Sequence, residues 1–382
     1  MAPAEPSKTL KDNSSESRPL LGWQPDSAAW EALIGRVTEH NIFYVPAFAL
    51  AAASHLLGAS GSNTIGIWRN GDLACLFPGS LAGGPLPVWR ALVHPYGPLS
   101  TPLVHRFDPE SVLASWLDAV AALRPRPRAV ILPLMTDEGP VAEALSRLLA
   151  RRGLQVRRLD AHRRAALTNG AAGPAALGGK RRKELARLRR RLEEAGTPTL
   201  TLAPAEAPIA EAIDSYISLE RAGWKGRGGT ALAADPAAEA FFRRAIAGLA
   251  ARGEAEIAVT RLDGAPLAAT VTLRSGPQAW YWKTAYDEAH ARFSPGVLAT
   301  LDLTARLAAD PALAQVDSCA IAGHPMIDRL WSGRLAVSDW IIALPDAGAG
   351  FALVVAREQA QRSARRLARR LRDAVRARLG RR

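Results

Sequence analysis

The sequence predicts a mixed α/β protein made of two similar halves, each a mixed sheet flanked by helices. Three observations predict it. Asn70-Gly71 and Asp263-Gly264 each sit between two apolar alternating runs, which is the pattern of a tight β-hairpin. Each hairpin is preceded by a helical pattern and followed by a strand, a proline-started helix and an apolar strand. A Gly/Ala/Pro-rich stretch at 169–179 separates the two series. The chain has 382 residues, enough for two domains at roughly 150 residues each.

The first 25 residues are polar and rich in Pro and Ser, and they read as a disordered leader with no secretory signal. The first domain is expected over 26–165. A helix is expected over 27–57, with Asp26 and Ser27 as caps. The hairpin follows at 64–78, then a strand at 88–95. A helix begins at Asp108-Pro109, with proline at its first position. A buried strand at 129–135, a helix at 138–152 and a strand near 155–159 complete this half.

Residues 166–179 are expected to link the halves, and 180–345 to form the second domain. Leu185, Leu188 and Leu192 make one stripe of a helix over 180–195. A helix at 207–221, the hairpin at 256–273 and a strand at 279–287 follow. A helix opens at Ser294-Pro295-Gly296, and a short strand covers 315–320. A last helix is expected at 355–379, with Leu367, Leu371, Val375 and Leu379 every four residues.

Composition narrows the function. Hydrophobic residues make up 48% and charged residues 22%, as in ordinary globular proteins. The two cysteines, Cys75 and Cys319, exclude a disulfide framework and a cysteine-built zinc site. They fit a reducing compartment. The seven histidines show no i, i+4 pair, so no metal site is expected. The net charge of +13 is concentrated in two places. Residues 180–191 carry eight basic residues against one acid. Residues 352–382 carry eleven arginines against Glu358 and Asp373. The remainder of the chain is slightly acidic.

Four segments of the second half carry a resemblance: GGKRRKELARLRRRLEEAG, LERAGWKGRGGTAL, WYWKTAYDEAHARFSPGVL and HPMIDRLW. In this order and spacing they resemble the acetyltransferase-like domain of the bacterial CelD/BcsL proteins, named for cellulose biosynthesis. That group lies within the GNAT superfamily and is related to the Fem-type peptidoglycan aminoacyltransferases. The resemblance covers about 165–340. It implies two tandem GNAT-like domains, the first degenerate, with acyl-CoA (acetyl-CoA) as co-substrate.

By that resemblance Ser294, Pro295 and Gly296, with Arg292, are where the donor pyrophosphate sits. A helix start with free N–H groups suits a phosphate, and the glycine lets the ligand approach. Ordinary GNAT enzymes carry Gln/Arg-x-x-Gly-x-Gly/Ala here, whereas Arg292 to Gly296 holds one glycine. Strand alternation places Trp280, Trp282, Thr284 and Tyr286 on one face, and Tyr281, Lys283 and Asp287 on the other. Trp224, Lys225, Lys283 and Tyr286 are the expected acceptor-binding residues. Direct acyl transfer needs a base, and a carboxylate with a raised pKa can serve. Glu220 is the first candidate, with Asp287 and His324 behind it.

The expected activity is transfer of an acyl group to an amine or hydroxyl of a sugar, polysaccharide or envelope precursor. Two alternatives stand beside it: aminoacyl transfer from tRNA, and a non-catalytic scaffold docking through arginine-rich helices. Neither basic helix carries aromatics for base stacking, so nucleic acid is not the expected partner. An anionic membrane surface is, through the last helix, with the protein cytoplasmic or peripheral at the inner membrane.

Overall fold

The computed structural model describes residues 13–57, 63–168 and 178–379. The expected linker therefore lies largely outside the described residues, as do the first twelve residues of the expected leader. The rest of that leader is ordered. Strand β1 (Ser14–Arg18) is followed by a 3-10 turn at Leu20–Asp26. Its Trp23 is fully buried and fills the space over Gly66 that a side chain there would need. Low hydrophobicity over residues 1–25 concealed these two anchors, Leu20 and Trp23.

The expected long helix is two: α1 (Ser27–Ile34) and α2 (Pro46–His55). The Asn41 side chain accepts the Phe43 N–H in a short 3-10 turn, and Pro46 has no N–H to continue a helix through it. Strands β2 (Thr64–Arg69) and β3 (Asp72–Phe77) form the first hairpin. Asn70 and Gly71 both take positive φ, as the turn requires. Then come β4 (Gly79–Ala82), β5 (Val88–Ala91), β6 (Leu103–Val104), α3 (Pro109–Ala122), β7 (Ala129–Thr136), α4 (Pro140–Arg151) and β8 (Val156–Thr168).

The second half runs α5 (Gly179–Glu193), β9 (Pro198–Ala203), α6 (Ile209–Ala222), α7 (Trp224–Arg227), α8 (Pro236–Ala250) and β10 (Ala255–Leu262). It continues with β11 (Ala265–Ser275), β12 (Gln278–Tyr286), α9 (Pro295–Ala309), β13 (Gln315–Asp317), α10 (Ile327–Leu330), β14 (Gly333–Ala343) and α11 (Ala349–Leu379).

The halves do not keep separate sheets. One sheet of ten strands runs β4-β5-β7-β14-β8-β13-β12-β11-β10-β9, and a smaller one holds β1-β2-β3-β6. Strand β14, unexpected from the sequence and lying within the stretch assigned to the second domain, pairs antiparallel with β7 of the first half and with β8. Strand β8 continues to Thr168, and its last residues pair with β13. The boundary at 165–166 thus falls within a strand.

Each half contains one parallel pair. Val88–Arg90 pairs with Ala129–Ile131, and Gln278–Trp280 with Gln315–Asp317. Each is three residues long, after which the strands part.

Candidate functional site

In the second half the pairing of β12 with β13 ends at Trp280, and the rest of β12 packs beside the start of α9. A β-bulge decides which side chains face it. Tyr281 is opposite Thr272 and Lys283 opposite Val271, so Trp282 is the extra residue. The alternation read from sequence therefore reverses after Trp282. Lys283 shares a side with Trp282, facing the first half, and its ammonium lies 4.7 Å from the Tyr96 ring centre. Tyr286 turns to the opposite side and packs against Gly296. Tyr281 lies on that side too, its hydroxyl 2.9 Å from that of Thr300 in α9.

Glu220, at the buried end of α6, takes three hydrogen bonds. Tyr216 Oη donates at 3.1 Å, Lys225 Nζ at 2.8 Å and the Leu232 N–H at 2.8 Å. Burial pushes the Glu220 pKa up. The charge of Lys225, the Leu232 N–H, the Lys225 hydrogen bond and the charge of Lys283 outweigh it, and the net shift is downward. The raised pKa expected of a base is absent. Glu220 is a fixed anion, and Gly223, at the foot of its helix, starts the short α7 that brings Lys225 back to it.

Lys283 is the perturbed group. Burial among Trp282 and Tyr96 and the nearby Lys225 charge lower its pKa to about 8, against a smaller upward effect of Glu220 and Cys319. Its recorded partners are aromatic faces, because Glu220 is committed to Lys225. A small cavity of about 30 Å³ is lined by Glu220, Trp224, Lys225, Thr284, Tyr286 and Glu288. Trp224 is 60% exposed at this site.

The expected donor loop has a specific form. Ser294 takes φ +52°, and its side chain makes no capping bond. The Val297 and Leu298 N–H groups bond back to the Ser294 carbonyl, and Pro295 has none, so among the described residues the Gly296 N–H is left without a backbone acceptor at the helix start. Gly296 has a packing role: a Cβ would lie 2.8 Å from Tyr286 Cδ1. Arg292 is exposed and lies over the Phe293 ring.

Two candidate bases are occupied elsewhere. Asp287 caps the turn Glu288–Phe293 through the Ala289 N–H and holds His290 Nδ1 at 2.8 Å. His324 Nδ1 accepts the N–H groups of Met326 and Ile327 at the start of α10. Cys319 follows β13 at φ +53°, and its buried thiol is pushed well above its ordinary pKa, first by burial and then by Asp317. Neither it nor Cys75, also buried, is set up as a thiolate nucleophile. Among the described residues no cluster of His, Cys, Asp or Glu is placed to hold a metal ion.

Sequence reasoning missed Tyr96 and His94. Tyr96 accepts the Trp282 indole N–H at 2.8 Å, and His94 packs among Phe48, Tyr96 and Phe241. Both belong to the first half, nearly two hundred residues from Lys283. The only local signal was aromatic residues inside a Gly/Pro loop.

The first half repeats the geometry with its helix start capped. Asp108 precedes α3 with φ +50° and a proline after it, like Ser294, but its carboxylate accepts the Ser111 N–H. Beyond its parallel pair a cavity of about 700 Å³ is bounded by α11. Arg90 donates to Glu358 at 2.7 Å and Arg362 to Asp339 at 2.6 Å across that space.

Residues 179–323 match the acetyltransferase (GNAT) domain family. Comparison with curated protein sequences finds no significant match. Among solved structures, FemX superposes with a TM-score of 0.56 at 9% identity, over 82% of this chain and 95% of that one. The C-terminal domain of a protein named as a lysylphosphatidylglycerol synthetase from Agrobacterium fabrum gives 0.52 at 12%, over 86% and 94%. A conserved protein from Bacteroides thetaiotaomicron gives 0.53 at 12%, over 87% and 100%. At these identities the structural likenesses speak for the fold alone. The fold is one shared with these structures, and within it the second half carries the stretch that matches the GNAT-type acetyltransferase domain.

Proposed function

We propose that this protein is an N-acyltransferase of the CelD/BcsL type. On this reading it moves an acyl group from acyl-CoA to an amine or hydroxyl of a sugar, polysaccharide or envelope precursor in the cytoplasm. The observation that carries the reading is the open helix start at Ser294 beside the parted strands β12 and β13. The corresponding start at Asp108 is blocked by its own carboxylate. An anionic donor is favoured at a free helix N-terminus and disfavoured at one already capped by an acid. The basic helix α5, tied to α9 through the ion pair of Arg189 with Asp302, adds positive charge near this start.

Acyl-CoA, when bound, supplies an activated thioester carbonyl. Lys283, with a pKa near neutrality, takes the proton that an acceptor amine sheds as its C–N bond forms. That proton balances the thiolate released as the C–S bond breaks. Glu220 and Lys225 act as a fixed pair that keeps Lys283 without a carboxylate of its own. Trp224 offers an exposed aromatic face of the kind that packs against a sugar ring.

Calorimetry with acetyl-CoA and longer acyl-CoAs tests the donor assignment, using Ser294→Asp. This variant copies Asp108, whose backbone has the same φ, so the fold should be retained. Wild type should bind a thioester and the variant should bind it about tenfold or more weakly. Equal binding, or no thioester binding by wild type, overturns the assignment. Binding of aminoacyl-tRNA in place of acyl-CoA would move the donor class to the Fem-like alternative.

A further inference from the structure

Helix α11 shows a different pattern on each of two sides. Phe351, Val354 and Glu358 are buried against the body, and Arg362 is half-buried with them. Phe351 and Val354 pack with Val88, Ile131 and Ile341, while Glu358 and Arg362 hold Arg90, Asp160 and Asp339. At 100° per residue, Leu353, Ala356, Ala360, Ala364, Leu367 and Leu371 form a second stripe, on the side away from the body. All six are exposed, with Leu367 and Leu371 at 58% and 59%. From Leu367 through Arg372, every residue whose side chain is described is exposed, so this part of the helix projects from the body. Arg370 and Arg372 are exposed along it, while Arg366 pairs with Asp160 of the body at 3.1 Å.

We infer that the projecting part of α11 lies on an anionic lipid surface, with Leu367 and Leu371 in the interface and the flanking arginines among the headgroups. The occupant follows from charge. A second copy of the helix would bring eleven more arginines of the 352–382 segment against the first. A nucleic acid would satisfy the arginines and leave the leucines in water. A bilayer with acidic headgroups matches both the stripe and its flanks. The alanines keep the stripe shallow, so the helix rests at the interface. No described helix is long and apolar enough to cross a membrane. The ion pairs of Glu358 and Arg362 fix the helix to the body, so the whole protein would be held in one orientation. The inference does not depend on the reading of the acyl-transfer site.

Flotation of the full chain with vesicles of phosphatidylglycerol and phosphatidylcholine, against pure phosphatidylcholine vesicles, is the test. Wild type should float with the acidic vesicles, weakly with the neutral ones, and less as salt rises. Leu367→Glu with Leu371→Glu changes two exposed positions and should leave the fold intact, as circular dichroism would verify. It should weaken flotation about tenfold or more. Replacing Arg370 and Arg372 by Gln should also weaken it. Equal flotation of wild type and the leucine variant overturns the inference. So does binding without preference for acidic lipid. Size-exclusion light scattering that shows a dimer lost in the leucine variant, without lipid binding, would give the stripe to a second copy.

Discussion

Asp108 and Ser294 occupy equivalent places in the two halves. Both have φ near +50°, both precede a proline, and both start a helix that lies in sequence between the two strands of a parallel pair. They differ in that the Asp108 side chain accepts the Ser111 N–H while that of Ser294 makes no capping bond. A local hydrogen bond and a negative charge close one site, and their absence leaves the other open.

Asp108→Ala should therefore act on stability and leave the donor untouched. Loss of an N-cap costs about 1 kcal/mol. Thermal or urea unfolding should register that loss, with acyl-CoA affinity unchanged. A parallel fall in affinity would place a donor in the first half.

Lys283→Met should lower turnover by about 10²–10⁴-fold, the usual worth of a general base, with donor affinity nearly constant. The base must be neutral, so wild-type kcat/KM should rise with pH through about 8. The variant should lack this limb. A rate profile that is flat across pH 7 to 9 in wild type would remove Lys283 from the chemistry.

Glu220→Gln should have two linked effects. Lys225 loses its charge partner in a half-buried place, at a cost on the order of 1–3 kcal/mol. The Glu220 charge also raises the Lys283 pKa, so its removal should shift the rising limb toward lower pH. The Glu220 pKa is depressed in the folded protein. Its contribution is thus present above the unfolded value and lost as pH falls through the folded one. A loss of turnover without movement of the limb would restore Glu220 as the base.

Glu39 supplies a pH test remote from the site. It is buried beside the start of α4, accepting from Thr136 Oγ1 at 3.2 Å and the Val141 N–H at 3.4 Å. Burial, against these two bonds, raises its pKa to about 7. Its stabilising effect is full below the unfolded value and is lost as pH rises through about 7. Between pH 5.5 and pH 8.5 this amounts to about 2 kcal/mol. Glu39→Gln should remove that pH dependence in denaturant unfolding. An unchanged pH dependence would mean the carboxyl titrates at its ordinary value.

The hairpins were legible because Asn70-Gly71 and Asp263-Gly264 demand left-handed backbone, and all four residues have it. Helices opened by Asp108-Pro109 and Ser294-Pro295 were legible for a similar local reason. Strand β14 was not, since its partners Ala129–Thr136 and Val156–Thr168 lie far away in sequence. At the site, sequence brought forward Lys283, Glu220 and Lys225 but not their roles. The bulge at Trp282 set which way Lys283 points, and a bulge leaves no mark in the residue pattern. The ring beneath Lys283 comes from Tyr96, and the Glu220 pKa depends on Lys225 and the Leu232 N–H folding back onto it.

Strand β14 lies between β7 and β8, so the first half of the chain cannot complete its part of the sheet until residues 333–343 are made. During synthesis the inner edges of β7 and β8 stay unpaired until residues 333–343 leave the ribosome. Until then they are open to pairing with other chains. Neither half is a module that recombination could move alone. A gene cut at the linker would yield one fragment with a missing central strand and another with a strand that has lost its place.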